Sequence, residues 1–420
     1  VKPIVYSDDE HHIDRDAIDR DALYVLDTLH SAGYIAYLVG GGVRDLLAGK
    51  DPKDFDISTS ATPQEIKELF KRKCLLIGRR FRLAHIRFGP TKFIEVATFR
   101  SGSHLATDKL IIHDNEWGTE EEDVLRRDFT VNGLFYDPSD GALIDYIGGR
   151  DDVERGLLRS IGDPVVRFKQ DPVRMIRLLK FRARFGYDID AAAVAALKEC
   201  RDEITKSSPA RITEEFHKML ESGSSAPFFE LMFDAGFLDI LLPAIAKYLR
   251  GPHGDNLYAH LRAADALVTQ SRGPTPDRSA LAACIFYPLL VERISSHEKG
   301  DALTFGDIMD ITHDVVGSVS ASAFPHFPRR LLHMVSFIAN TQYRFTPISE
   351  GSFRYARLLR HEEFRHALAF LKIRTLVDGD ITRSYSLWRQ RWESAKASSG
   401  FETRSTIPAS RPRRRRRGPR

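Results

Sequence analysis

Apolar positions keep two different periods along this chain, and the change falls near residue 150. Between 35 and 150, short apolar runs of strand length alternate with polar turns. The segments 35–39, 54–59, 74–78, 83–88, 93–99 and 143–146 read as strands. Thr62-Pro63-Gln64-Glu65 opens a helix to Phe70, because proline is tolerated in a first turn. Upstream, Ile18, Leu23, Leu26 and Leu29 keep helical spacing and predict a helix over 14–32. Beyond 151 the strand signals stop. Residues 171–185, 191–204, 211–221 and 227–248 read as helices, as does most of 255–397. His253, Gly254 and Asp255-Asn256 mark a break between helical subdomains. The pattern predicts an α+β head and an all-helical remainder. Its expected divisions are an N-terminal extension and helix (1–34), the head (35–150), a neck (151–221), a body (222–400) and a tail (401–420).

A length of 420 residues accommodates two or three domains, and 42% apolar residues can fill their cores. Cys74, Cys200 and Cys284 are far apart and odd in number. That argues against a disulfide framework or a zinc site and fits a reducing cytoplasm. The N-terminus carries no apolar core of signal-peptide length, and no uncharged apolar run reaches the ~18 residues of a membrane span. Even the apolar stretch Phe228–Leu249 is broken by Glu230, Asp234, Asp239 and Lys247.

The net charge of +4 hides an asymmetry. Residues 401–420 hold eight arginines and one acid, Glu402, so the tail is +7 and the rest of the chain −3. The run Arg411-Pro-Arg-Arg-Arg-Arg-Arg-Gly-Pro-Arg420 is too charged and proline-rich to form a core. It reads either as a solubilising end or as an arm for polyanions, nucleic acid first among them.

The chemistry concentrates in the head. An apolar strand ending at Val39 runs into Gly40-Gly41-Gly42, and the next strand carries Asp54 and Asp56. Residues i and i+2 of a strand share a face, so the two carboxylates project together. Like charges that close call for a cation between them, and oxygen donors favour a hard divalent one. Glycine backbone N–H groups can approach a phosphate without Cβ interference. A phosphate cradle beside metal-binding carboxylates implies phosphoryl or nucleotidyl transfer. Separately, each motif is more often an ordinary turn or a solvated pair.

Two further motifs follow. In Arg126-Arg127-Asp128-Phe129-Thr130-Val131-Asn132, Arg127 and Asn132 are donors for phosphate or ribose and Asp128 is a further carboxylate; on its own the run would read as a surface ion-pair cluster. The acidic run Glu120–Asp123 reads as a solvated helix start. Glu95 stands in an apolar strand, either as a third carboxylate beside the pair or as a partner for Arg100. In Gln170-Asp171-Pro172-Val173-Arg174, Asp171 reads as a helix N-cap or, with Arg174, as an edge-on base reader. Asp accepts from an exocyclic amine while Arg donates to the adjacent ring nitrogen. Adenine and cytosine present that pattern; guanine and uracil present the reverse.

Together, in this order, the motifs resemble the class II template-independent nucleotidyltransferases, the family of CCA-adding enzymes and bacterial poly(A) polymerases, over residues 35–220. The resemblance implies a polymerase-beta-like head with a mixed or antiparallel sheet, followed by helical neck, body and tail. It implies Mg²⁺, two ions, on Asp54 and Asp56, with Asp128 as third active-site carboxylate. Gly41, Gly42, Arg44, Arg127 and Asn132 would contact triphosphate and sugar. Asp171 and Arg174 would read the base, and Arg177 and Lys180 would face the nucleotide phosphates. Gln170, Lys180 and Gly133 depart from the family's usual Glu, Arg and Ala. Gly78-Arg79-Arg80-Phe81-Arg82-Leu83-Ala84-His85 and the arginine tail look like the poly(A) polymerase branch; His85 reads equally as a core or a functional residue. The implied activity is addition of AMP from ATP to RNA 3′ ends in the cytoplasm. CCA addition to tRNA is the nearest alternative, and an RNA-binding adaptor with a dead head a more distant one, against which the intact Asp54, Asp56 and Asp128 speak. Arg182, Arg184 and Phe185 are candidates for gripping RNA, although a Phe181/Phe185 pair also reads as core. An RNA-decay protein is a possible alternative partner for the tail.

Overall fold

The structure is a computed structural model that describes residues 2–78, 83–102, 110, 116–270, 275–297, 303–346 and 355–399. The arginine tail and Arg79–Arg82 of the basic run lie outside the described residues.

The head is built on one eight-stranded sheet: β1 (Ile4–Tyr6), β2 (Ala36–Val39), β3 (Asp56–Thr59), β4 (Cys74–Ile77), β5 (Leu83–Arg87), β6 (Phe93–Thr98), β7 (Phe135–Asp137) and β8 (Ala142–Asp145). Their order is β1-β8-β7-β2-β3-β6-β5-β4. The β3/β6 pair is parallel and the other neighbours are antiparallel, which makes the sheet mixed. Alternation separates its faces. Leu38, Ile57, Ile94, Val96, Ala84, Ile86 and Cys74 point into the core with α1 (Arg20–Ser31) and α3 (Pro63–Phe70). Asp56, Glu95, His85 and Leu75 stand in one register row on the opposite face. On that face Val39 and Phe135 are covered by Val124 of α4 (Glu120–Leu125), whereas Leu75, Ile77 and Phe93 are exposed.

Two expected elements change at their starts. Residues 14–32 do not form one helix: a 3₁₀ turn at Arg15–Ala17 precedes α1, whose N-cap Asp19 accepts from the Asp21 amide. The strand expected at 54–59 begins at Asp56. Strands β1 and β7 were not expected; each has three residues, too short for a period to register.

The remainder is helical apart from a two-stranded ribbon of β9 (Leu157–Leu158) and β10 (Asp188–Ile189). The elements nearest the head are α2 (Gly41–Leu47), α5 (Gly149–Arg155), α6 (Pro164–Gln170), α7 (Val173–Phe185), α8 (Ala191–Cys200) and α9 (Pro209–Leu220). The helix expected over 227–248 is three helices: α10 (Ser225–Asp234), α11 (Phe237–Leu241) and α12 (Pro243–Leu249). Gly236 takes a left-handed φ of 75°, and Pro243 starts a new helix because it has no amide to continue the old one. After the break at His253-Gly254 the body continues with α13 (Asp255–Gln270), α14 (Arg278–His297), α15 (Phe305–Ser322), α16 (Arg329–Phe345), α17 (Ala356–Leu359), α18 (Phe364–Thr375) and α19 (Thr382–Ser399). Among the described residues α14 alone has the length and apolarity of a membrane span, but 67% of that window is buried by its neighbours. One apolar core runs without interruption from Ile13 in the head to Trp388 in α19.

Candidate active site

Strand β2 delivers the chain to Gly40, whose φ of 69° and ψ of −132° are open only to glycine. Helix α2 starts at once, and Gly42 lets it lie against the Asp54 segment. A Cβ there would sit 3.2 Å from the Asp54 carbonyl oxygen. Arg44 is buried in the same helix. It donates to Asp45 at 2.7 Å and to the Asn132 side-chain oxygen, and its guanidinium lies 4.0 Å from the Phe185 ring of α7. Arg44 and Asn132 are thus brought together, and both are tied into protein contacts that link α2 to the neck.

Asp56 and Glu95 are register partners on the parallel pair β3/β6. Protein crowding raises the Asp56 carboxyl, the Glu95 and Asp54 charges raise it further, and Arg127 opposes them; the result is a pKa pushed up to about 6. Asp54 precedes the strand by two residues but lies close enough to act on Asp56. Arg127 bonds Ser58, two residues beyond Asp56, at 3.0 Å and is fixed by a 2.7 Å pair with Asp123. Glu95 in turn contacts His85 Nε2 at 3.3 Å. The structure therefore sets Glu95 beside Asp56 in register, with Asp54 near enough for its charge to act on Asp56. These donors are acidic oxygens that repel one another, the set a hard divalent cation suits. Among the described residues no group of three or more His, Cys, Asp and Glu is placed to hold a metal ion. Mg²⁺ sites ordinarily borrow phosphate oxygens and water rather than rely on an all-protein cage.

Asp128, expected as a third active-site carboxylate, is engaged by two arginines of the neck. It accepts from Arg174 Nε and from Arg177 Nη1, each at 2.7 Å. Burial pushes its carboxyl up, but the Arg177 and Arg174 charges outweigh burial and hold it far below the usual carboxylate range. Two guanidiniums already neutralise it. Its backbone is stitched to the neck by Ile161 N–H donating to the Asp128 carbonyl and by Thr130 N–H donating to Arg159.

The neck residues are paired within the protein. Arg174 spends Nη1 on the Arg167 carbonyl and Nη2 on the Arg126 carbonyl, besides Nε on Asp128, so its fork is anchored in protein. Arg177 bridges Asp128 and Glu215, and Lys180 also pairs with Glu215. These cations answer buried carboxylates first, because a buried charge without a partner is costly. Asp171 differs. Helix α7 has no side-chain cap, so Asp171 is not used as an N-cap. Its Oδ2 accepts from Arg211 at 2.7 Å, while Oδ1 is buried with no hydrogen-bond partner. Gln170 is buried against Arg167, accepting at 3.1 Å.

Glu215 and Arg211 were missed by sequence reasoning. A signal existed for Glu215: it falls on the apolar stripe Ile212, Phe216, Met219 of α9, where an acid needs a partner. Nothing local marks Arg211.

Family models match most of the chain. "Poly A polymerase head domain" covers 36–159, "Probable RNA and SrmB- binding site of polymerase A" covers 186–249, and "Polymerase A arginine-rich C-terminus" covers 312–420. Poly(A) polymerase I of Salmonella typhimurium is 36% identical over 434 residues, spanning 98% of this chain and 90% of its own. A CCA-adding enzyme of Lactobacillus helveticus is 37% identical over 213 residues, but that spans only 51% of this chain and 53% of its own. The solved Bacillus stearothermophilus CCA-adding enzyme in complex with CTP shares the fold, with a TM-score of 0.63 at 23% identity over 90% of this chain and 82% of that one. The likeness to poly(A) polymerase I runs the length of both chains, while that to CCA-adding enzymes of similar identity stops near half: the chain belongs to the poly(A) polymerase I family of class II template-independent nucleotidyltransferases.

Proposed function

We propose that this poly(A) polymerase transfers AMP from ATP to RNA 3′-hydroxyls at the Asp54–Asp56–Glu95 cluster. The observation that carries the reading is the pairing of Asp56 with Glu95 across β3/β6, with Arg127 held beside them on Ser58 and the Asp54 charge acting on the same carboxyl. The 3′-hydroxyl gives up its proton to solvent as its oxygen bonds to the α-phosphorus, the bond from that phosphorus to the oxygen bridging to the β-phosphate breaks, and pyrophosphate leaves with the bonding electrons. Asp54 and Asp56 would hold Mg²⁺, with Glu95 beside them; when bound, the ions supply positive charge to the attacking oxygen and the departing pyrophosphate. Gly41 and Gly42 allow phosphate to approach the backbone of α2, and Arg127 adds a guanidinium beside Asp56.

Base choice falls to Asp171. Its partnerless Oδ1 can accept the N6 amine of adenine or the N4 amine of cytosine, and a carbonyl in that place would leave two acceptors facing each other; pocket size has to separate adenine from cytosine. Arg174 and Arg177 serve this site by holding head and neck together, while Lys180 pairs with Glu215 within the neck. RNA is gripped through phosphates and end stacking rather than by sequence, and the arginine tail adds either RNA affinity or a protein contact.

The test is incubation of the full chain with a short RNA, Mg²⁺ and each nucleoside triphosphate separately, read on a sequencing gel. ATP alone should give long extension. Equal use of CTP, or a stop after one or two additions on a tRNA lacking its end, would assign the chain to CCA addition.

A further inference from the structure

We propose that His85 is a positioning residue for the carboxylate cluster, setting the orientation of Glu95 beside Asp56; this rests on the reading that the cluster performs the transfer. Register places the three residues in one row. Asp56 pairs with Glu95 across β3/β6, and Glu95 pairs with His85 across β6/β5. All three project from the same sheet face, with His85 on the side of Glu95 away from Asp56.

Two contacts fix the His85 ring. Its plane lies on Phe93, with ring centroids 4.2 Å apart and planes 6° from parallel. Its edge meets Glu95, Nε2 to Oε2 at 3.3 Å. A carboxylate only accepts, so the proton sits on Nε2 and His85 donates. Phe93 precedes Glu95 by two residues on β6 and shares its face, so one strand supplies both the wall and the acceptor.

Glu95 has a long side chain and a like-charged neighbour. Left alone, repulsion from Asp56 would swing it into solvent. A donor that engages one oxygen from the far side fixes the carboxylate plane and draws off part of its charge. The other oxygen is then available on the Asp56 side. The ring orients Glu95 without itself touching substrate, as outer partners of metal-binding groups do.

Two variants of the full chain separate the hydrogen bond from the ring. His85→Phe keeps a flat ring for Phe93 and removes the donor; His85→Gln keeps a donor and removes the ring. The readouts are kcat, KM for ATP and for RNA, and Mn²⁺ binding without nucleotide by calorimetry. His85→Phe should lower kcat and weaken Mn²⁺ binding by about 10-fold each, with both KM values little changed. His85→Gln should recover most of both. In a Glu95→Gln background, His85→Phe should cost nothing further. The proposal is overturned if His85→Phe matches the parent in kcat and Mn²⁺ binding, if Gln is as impaired as Phe, or if the effects of His85→Phe and Glu95→Gln simply add. Absence of RNA adenylation by the parent chain would sink the functional reading instead, and the Mn²⁺ arm would still decide the role of His85.

Discussion

Arg174 of α7 and Asp128 of the head meet in a 2.7 Å ion pair whose side chains are only 6% and 19% exposed. Arg177 closes on the other oxygen of the same carboxylate, also at 2.7 Å. Arg174 further takes the Arg126 carbonyl, and Arg167 takes the Arg127 carbonyl at 2.8 Å. The segment that carries Arg127 toward Asp56 is therefore held by the neck at three successive residues. Geometry at the carboxylate cluster depends on a clamp formed outside it.

Asp128→Asn should destabilise the protein by about 3 kcal/mol, because it leaves the buried Arg174 without a carboxylate and Arg177 with Glu215 alone. The folded carboxyl lies below its unfolded value of about 4, so its stabilisation is complete above that pH and is lost as pH falls through the folded pKa. Urea melts of parent and variant should therefore differ at pH 7 and converge only in acid. Equal midpoints at pH 7 would remove the clamp.

Asp54→Ala and Asp56→Ala should each lower kcat by at least ~10²-fold while the protein stays folded. Asp56→Asn should do the same and also raise the melting temperature of the metal-free protein at pH 7.5. The folded carboxyl titrates at about 6, above its unfolded value, so ionisation costs stability as pH rises toward 6 and the cost persists above it. Replacing it with an amide removes that cost. The gain should fade as pH drops below 6 and vanish once Asp56 is protonated in both states. Scanning calorimetry in EDTA across that range checks it; a gain that grows in acid would contradict the sign.

Asp171→Asn should lower kcat/KM for ATP at least ~10-fold and narrow the gap between ATP and GTP, since an amide turns part of the buried acceptor into a donor. The change should appear with single-nucleotide addition on one RNA. Loss of rate with unchanged base preference would mean that Asp171 only anchors Arg211.

Strand alternation reads β5 and β6 to within a residue at each end, because one face is packed and the other open. It leaves Glu95 open between a place beside Asp56 and a partnership with Arg100, and only the strand register puts it beside Asp56. It does not show where pairing starts, so Asp54 reads as strand although β3 begins at Asp56. The continuous helix over 227–248 fails at Gly236 and Pro243, two breakers that an apolar period overrides on paper and backbone geometry does not. Least legible were the partners. Asp128, Arg177 and Glu215 are far apart in sequence and meet only when α7 and α9 fold against the head. A motif names the charged side chains; only the fold shows which cations buried acids consume and that Asp171 Oδ1 is left without a partner.

The arginine tail should contribute RNA affinity but not chemistry. Residues 404–420 hold eight arginines and no acid, against a body of opposite sign. Arginines neutralise phosphates and release counterions, with a slope of about 0.7 in log affinity against log salt for each phosphate engaged on a single strand. If half of the tail's arginines engage at once, deleting 404–420 should flatten that slope by about 3 and weaken binding most at low salt. The deleted stretch offers no carboxylate for a metal, so kcat at saturating RNA should hardly change. The measurement titrates full-length and truncated protein against one RNA at several salt concentrations, with saturated rates alongside. An unchanged slope would assign the tail to an acidic protein partner. A collapsed saturated rate would make it part of the active site, against the placement of every carboxylate described above.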